Sequence, residues 1–151
     1  MNQKDTIEEF YKAFQKLDVE TMISFYHDEI EFTDPAFGTL YGNDAKNMWR
    51  MICSKANNFS LEYNQVTETS AYWEPTYTFS ATGNTVINKI DATFEFKDGK
   101  ISKHTDVFDL HKWASQAMGL KGKLLGGTTF FKKKLNKQTK QFLASYTKKH
   151  A

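Results

Sequence analysis

The stretch "EIEFTDPAFG", Glu29–Gly38, decides the fold. Ile30, Phe32 and Asp34 alternate with Glu31 and Thr33, the period-two pattern of a strand with one buried face. Pro35 removes an amide donor and ends the run, so a turn follows. The parity places Asp34 on the face of Ile30 and Phe32, which a sheet turns toward its core. A carboxylate there either shapes the turn, by accepting backbone N–H bonds, or is an acid held at the edge of an apolar interior.

Upstream, Ile7, Phe10, Tyr11, Phe14 and Leu17 recur at helical spacing, with Asp5 or Thr6 as cap and Glu8 and Glu9 in the first turn. Val19–Tyr26 predicts a second, short helix capped by Asp18. Downstream, "GNDAKNMWRMIC" predicts a third helix capped by Asn43. Strand-like runs follow: "NFSLEYNQVTET", "AYWEPTYTFSATG" and "TVINKIDATFEF", then the tight turn "KDGK" and a last strand, "KISKHTDVFDL". Pro75 marks an edge, bend or bulge in the second run. "HKWASQAMG" is a helix capped by Asp109 and stopped by Gly119, and "LKGKLLGG" reads as a loop. "TTFFKKKLNKQTKQFLASYTKK" has helical periodicity, with Phe131, Leu135, Phe142 and Tyr146 near one stripe.

This order predicts an α+β fold: a curved, cone-like antiparallel sheet with helices packed on its concave face, plus a C-terminal helical extension. The expected division is a domain over residues 1–118 and a Lys-rich extension over 119–151 that packs on it. A curved sheet backed by helices encloses a hollow, so an internal apolar pocket is expected. Phe10, Phe14, Phe32, Trp49, Trp73, Phe94 and Phe108 are its candidate lining.

With 40% apolar and 15% aromatic residues, the chain of 151 residues can offset its ordering entropy by burial, so disorder is excluded. The single cysteine, Cys53, excludes an intrachain disulfide framework and a multi-Cys metal site; it sits on the apolar side of its helix and reads as a structural thiol. The N-terminus lacks the apolar run of a signal peptide, and no run approaches a membrane span, so a cytoplasmic protein is expected. Residues 1–118 carry 11 basic and 18 acidic side chains, net −7, whereas residues 119–151 carry nine Lys and no acid. Nucleic acid and a membrane surface are the lesser readings of that tail; its helical periodicity favours packing on the domain, near the pocket mouth or the dimer partner.

"FYKAFQKLDVETMISFYHDEIEFTDPAFGTLYGNDAKNMW" (10–49) resembles the start of SnoaL-like domains of the nuclear-transport-factor-2-like superfamily. "FEFKDGKISKHTDVFDLHKW" (94–113) resembles the end of the same domain, and the likeness runs over roughly residues 5–118. The superfamily includes ketosteroid isomerases, limonene epoxide hydrolases and polyketide cyclases. The resemblance implies that Asp34-Pro35 occupies the position of the isomerases' general base. Phe10 falls where those enzymes have an oxyanion-hole Tyr; Tyr11 is one residue away, about 100° around a helix. Their second oxyanion donor, an Asp, is matched by Ala92 in a gapless count, and Asp91 has the opposite parity. Asp106 matches a catalytic Asp of the epoxide hydrolases, but Trp73 and Pro75 stand where those enzymes carry Arg-x-Asp. The resemblance also implies a homodimer and no cofactor.

On the last strand His104, Asp106 and Phe108 share a face. If that face is the inner one, His104 and Asp106 meet Asp34 in an aromatic interior, where burial and like charge raise a carboxyl's pKa. Asp34, His104 and Asp106 are therefore the candidate catalytic residues, suited to proton transfer beside a carbonyl on a small apolar molecule. No metal site is expected, since His-x-Asp lacks further ligands nearby. The residues leave two functions open: a cofactor-free isomerase-, cyclase- or hydrolase-like enzyme, or a non-catalytic ligand-binding or dimerisation module.

Overall fold

In the computed structural model, which describes residues 1–151, three helices lie ahead of most of the sheet. Helix α1 (Gln3–Gln15) is capped by Asn2, whose side chain accepts from the Asp5 N–H at 2.8 Å, so the cap lies upstream of the expected Asp5 or Thr6. Helix α2 (Val19–Ser24) is capped by Asp18 as its sequence predicts. Strands β1 (Tyr26–Asp34) and β2 (Gly38–Tyr41) form a hairpin around Pro35–Phe37. Helix α3 (Asn43–Ser54) starts one residue after Gly42, and no side chain caps it, so Asn43 lies inside the helix and is not its cap.

The remaining strands are β3 (Ser60–Asn64), β4 (Ser70–Phe79), β5 (Asn84–Ile87), β6 (Ile90–Lys97) and β7 (Lys100–Val107). The seven strands form one sheet in the order β2-β1-β7-β6-β4-β3, with β5 also paired to β4. Every pair is antiparallel except β1 with β7, which is parallel, so the expected antiparallel sheet is mixed at one seam. That seam matters because it lays the strand of Asp34 beside the strand of His104 and Asp106.

Pro75 lies in the interior of β4, and the pairing around it explains why a residue without N–H is tolerated. On one side of β4 the β6 pairing ends at Trp73–Ile90 and the β5 pairing begins at Thr76–Ile87. Pro75 falls in the gap, where only its carbonyl is used, accepting from the Asn88 N–H at 3.1 Å. The run "TVINKIDATFEF" is accordingly two strands with a break at Asn88–Lys89.

Helix α4 (Leu110–Met118) is capped by Asp109, as expected. The segment that reads as a loop forms a short helix, α5 (Leu120–Leu125). Gly122 permits it: a Cβ there would collide with the Ala114 carbonyl of α4, so the glycine marks close helix–helix contact. Helix α6 (Thr129–Lys149) follows. Its contact line runs along Phe131, Leu135, Thr139 and Leu143; Leu143 is buried, whereas Phe142 is exposed. An i,i+4 row drifts about 40° per step around a helix, which carries the docking side from the predicted Phe142 to Leu143.

Two apolar clusters result. The larger fills the concave side of the sheet beneath α1, α2 and α3 and contains Phe10, Phe14, Phe32, Trp49, Trp73 and Phe94. The smaller joins Val86 to Trp113, Ala114 and Ala117 of α4 and to Phe131 and Leu135 of α6. Ala36 and Phe108 touch both, so the turn after Asp34 lies on the seam between them. No helix is long and apolar enough to cross a membrane.

Candidate functional site

The seam is built from the inner faces of β1, β4 and β7. The parallel register pairs Phe32 with His104 and Thr33 with Thr105, so Asp34 lies one step beyond, beside Asp106 on the same face. Across β7, Ala92 pairs with Asp106, and Asp91 lies on the exposed face, in agreement with its parity.

Asp34 does shape its turn. Its Oδ1 accepts the N–H of Ala36 at 2.9 Å and of Phe37 at 2.6 Å, while Oδ2 makes no hydrogen bond. Burial pushes this carboxyl up to about 7; the Phe37 and Ala36 N–H bonds oppose the rise and the Asp106 carboxylate adds to it.

His104 is fully buried and Asp106 nearly so. His104 Nε2 lies 2.9 Å from Asp106 Oδ1, and Nδ1 lies 2.7 Å from the Tyr26 hydroxyl. Trp49 Nε1 donates to the same hydroxyl at 2.9 Å, and Trp73 Nε1 donates to Asp106 Oδ1 at 3.2 Å. Counting donors fixes the tautomer. Tyr26 already accepts from Trp49, so its own proton goes to His104 Nδ1, and Nε2–H donates to Asp106. A doubly protonated His104 would leave the buried Tyr26 proton without an acceptor. Every donor in the chain Trp49, Tyr26, His104, Asp106, Trp73 thus has an acceptor in this tautomer.

The expected hollow around His104 is filled. Ring centroids of Phe94, Phe32, Phe10, Tyr26 and Trp49 lie 4.5 to 6.2 Å from it. Phe14 and Trp73 pack behind, with ring centroids 5.4 Å apart. Of the expected lining, Phe108 alone leaves this packed centre and reaches the seam. The reason is stoichiometric: so many rings on inward positions of a small cone close-pack against one another.

Two tyrosines at the site lie outside the candidate site residues: Tyr77, which the sequence does not single out, and Tyr11, the neighbour of Phe10. Tyr77, on the inner face of β4, accepts from Trp113 Nε1 at 2.7 Å, and its own O–H proton has no acceptor. Burial pushes the Tyr77 hydroxyl up, the Trp113 bond opposes, and the Asp34 charge raises it further. Tyr11 is fully buried and its hydroxyl has no partner at all. Burial holds its pKa well above the usual value, and the charge of Asp106 adds to this. The spacing Trp73-x-Pro75-x-Tyr77 carries the signal for Tyr77, since alternation puts all three on the buried face.

The extension closes the seam from outside. Asn136 Nδ2 donates to the Pro35 and Ala36 carbonyls, both at 2.9 Å, and the Thr139 hydroxyl donates to the Ala36 carbonyl at 2.9 Å. A groove of about 220 Å³ lies farther out, between β2, α3 and α6, and is lined by Leu40, Asp44, Lys140 and Leu143 among others. Cys53 is half-buried with its thiol pushed up to about 11 by burial, which leaves it un-ionised at neutral pH. No group of three or more His, Cys, Asp and Glu side chains is arranged to hold a metal ion.

The model of a family described as SnoaL-like domain matches residues 7–104. No curated protein matches the chain. Among solved structures, TerC co-crystallised with polyporic acid superposes with a TM-score of 0.65 at 18% identity, over 76% of this chain and 97% of that one. An NTF2-like protein from Burkholderia thailandensis also gives 0.65 at 18% identity, over 78% and 98%. A protein from Xanthomonas campestris, provisionally named a polyketide cyclase, gives 0.58 at 17% identity, over 76% and 96%. At these identities the likeness is one of fold.

Proposed function

We propose the following function for this chain, which belongs to the SnoaL-like domain family: it binds a small apolar carbonyl or cyclic compound at the seam and moves a proton on it, with Asp34 as general base. The supporting observation is the state of Asp34. One oxygen is anchored by two backbone N–H groups, the other is unbonded, and the carboxyl is pushed up to about 7. Such a group both takes and returns a proton near neutral pH. In the proposed step the Asp34 carboxylate removes a proton from the carbon beside a carbonyl, charge moves onto the carbonyl oxygen, and the proton returns at another atom. Tyr77, with its oxygen held by Trp113 and its proton free, supplies the donor for that oxygen, in place of the Tyr absent at Phe10. Asp106 and His104 are positioning residues here: Asp106 adds to the proton affinity that burial gives Asp34, and His104 holds Asp106.

One observation favours a second reading, a non-catalytic ligand-binding module. The bonds of His104 are taken up entirely by Tyr26 and Asp106, as a structural network would have them. The two readings are separated by incubating the protein in D2O with small cyclic ketones and with polyporic acid, the compound crystallised with the TerC neighbour. NMR then reports binding and, for the ketones, proton exchange. Exchange at the carbon beside the carbonyl that falls about 100-fold or more in Asp34→Asn supports the enzyme. Binding without exchange supports the module.

A further inference from the structure

The extension presents an apolar surface that nothing in the chain covers. Gly122 faces α4, so at about 100° per residue Leu120 and Leu124 point directly outward from α5. They are 72% and 71% exposed. Going round α5, Lys121 and Leu125 come next, and these line a shallow groove whose other wall is Phe130 and Lys134 of α6. Phe130 is 71% exposed. The surface is therefore continuous from the crest of α5, across the groove, to the first turn of α6.

Its surroundings are of one sign. Lys121, Lys123, Lys133 and Lys134 flank it, and no Asp or Glu occurs after Asp109. A patch of leucine and phenylalanine within a ring of lysine is unsuited to a second copy of itself, because the lysines would face each other. It is also unsuited to the acidic body of its own chain, which α6 already contacts along the adjoining side through Phe131, Leu135 and Leu143. Apolar residues that insert, ringed by cations that meet headgroups, are the features of a surface that lies on an anionic bilayer.

We propose that the α5–α6 corner docks the protein on anionic lipid membranes, with Leu120, Leu124 and Phe130 inserted at the headgroup boundary and the flanking lysines on the phosphates. The sequence alone ranks this reading low, because the helical periodicity of the tail favours docking on the domain; the folding of α5 against Ala114 adds a separate outward row of leucines.

The test is co-sedimentation of the full chain with phosphatidylcholine vesicles, with and without about 30 mol% phosphatidylserine. The expected result is binding only to the anionic vesicles, weakened by raising salt from ~0.1 M to ~0.5 M. Leu124→Ser with Phe130→Ser is expected to lower the partition coefficient about tenfold or more, and Lys121→Glu with Lys134→Glu comparably. All four side chains lie at the surface, and unchanged thermal melts verify folding of both variants. Absence of binding to the anionic vesicles overturns the proposal. So does binding that the Leu124 and Phe130 changes leave intact, since that is charge attraction alone. Sedimentation equilibrium without lipid supplies a third arm: a dimer abolished by Leu124→Ser with Phe130→Ser assigns the patch to a second copy and overturns the proposal.

Discussion

Replacing Asp34 by Asn isolates the energetic consequence of burying this acid. In the unfolded chain the carboxyl titrates near its ordinary 3.8, and in the folded chain it is pushed up to about 7. Below about pH 4 both states hold the proton, and the group contributes no pH dependence. Between about 4 and 7 the unfolded state has released its proton while the folded state keeps it, so stability falls as pH rises. Above 7 both states are ionised, and the loss levels off. A shift of about three units at about 1.4 kcal/mol each sets the loss at roughly 4 kcal/mol. That is a large share of the ~5–15 kcal/mol by which single domains are stable.

Asn imitates the protonated acid: its Oδ1 can accept the same two bonds from Ala36 and Phe37. The variant should thus match the wild type near pH 4 and exceed it by up to about 4 kcal/mol at pH 8. Urea unfolding followed by tryptophan fluorescence measures this, since Trp49, Trp73 and Trp113 are all buried. Other titrating groups cancel when the two proteins are compared at each pH. Parallel curves from pH 4 to 8 would refute the reasoning, and with it the claim that Asp34 exchanges a proton near neutrality.

The remaining predictions concern the network and the extension. Tyr26→Phe removes the acceptor of Trp49 and the donor to His104, leaving two buried groups unpaired, and should cost roughly 2–4 kcal/mol in the same urea assay. Tyr11→Phe removes a buried hydroxyl that has no partner, so it should be neutral or stabilise by up to about 1 kcal/mol; a large loss would show that the hydroxyl is bonded. Gly122→Ala forces a Cβ onto the Ala114 backbone, which cannot yield as a side chain would. It should lower the melting temperature and speed proteolysis between α4 and α6, whereas unchanged cleavage would mean that α5 does not dock as described.

Parity carried most of what the sequence could say about the site. Asp34, His104 and Asp106 fall on inward positions because alternation along a strand is rigid, and the same rule separated Ala92 from Asp91. Asp18 and Asp109 were legible as caps because an acid before an apolar period has a local reason to be there. What escaped was set by packing at a distance. β2 has only four residues, too few for a period. Gly122 looked like a loop former, and its purpose is contact with a helix whose position no local pattern records. The hollow was expected from the curvature of the sheet, but whether rings line a space or fill it depends on their summed volumes and rotamers. Tyr77 was within reach of the parity argument; its partner Trp113 was not, because it lies on the helix that returns across the seam.

The extension and the acid are one device, physically considered. The peptide groups of Pro35–Phe37 are used on both sides: their N–H groups point inward to Asp34, and the Pro35 and Ala36 carbonyls point outward to Asn136 and Thr139. A turn held from both directions cannot rotate its amides away, so the two bonds that anchor Oδ1 stay aligned. The same helix joins Phe131 and Leu135 to Trp113, in the cluster that Ala36 of this turn packs against. Burial is the main cause of the raised proton affinity of Asp34. The family's match ends at residue 104, upstream of the whole extension. The acid thus lies on the part of the chain shared with the family, while the carbonyls of its turn are held by a helix that lies outside it.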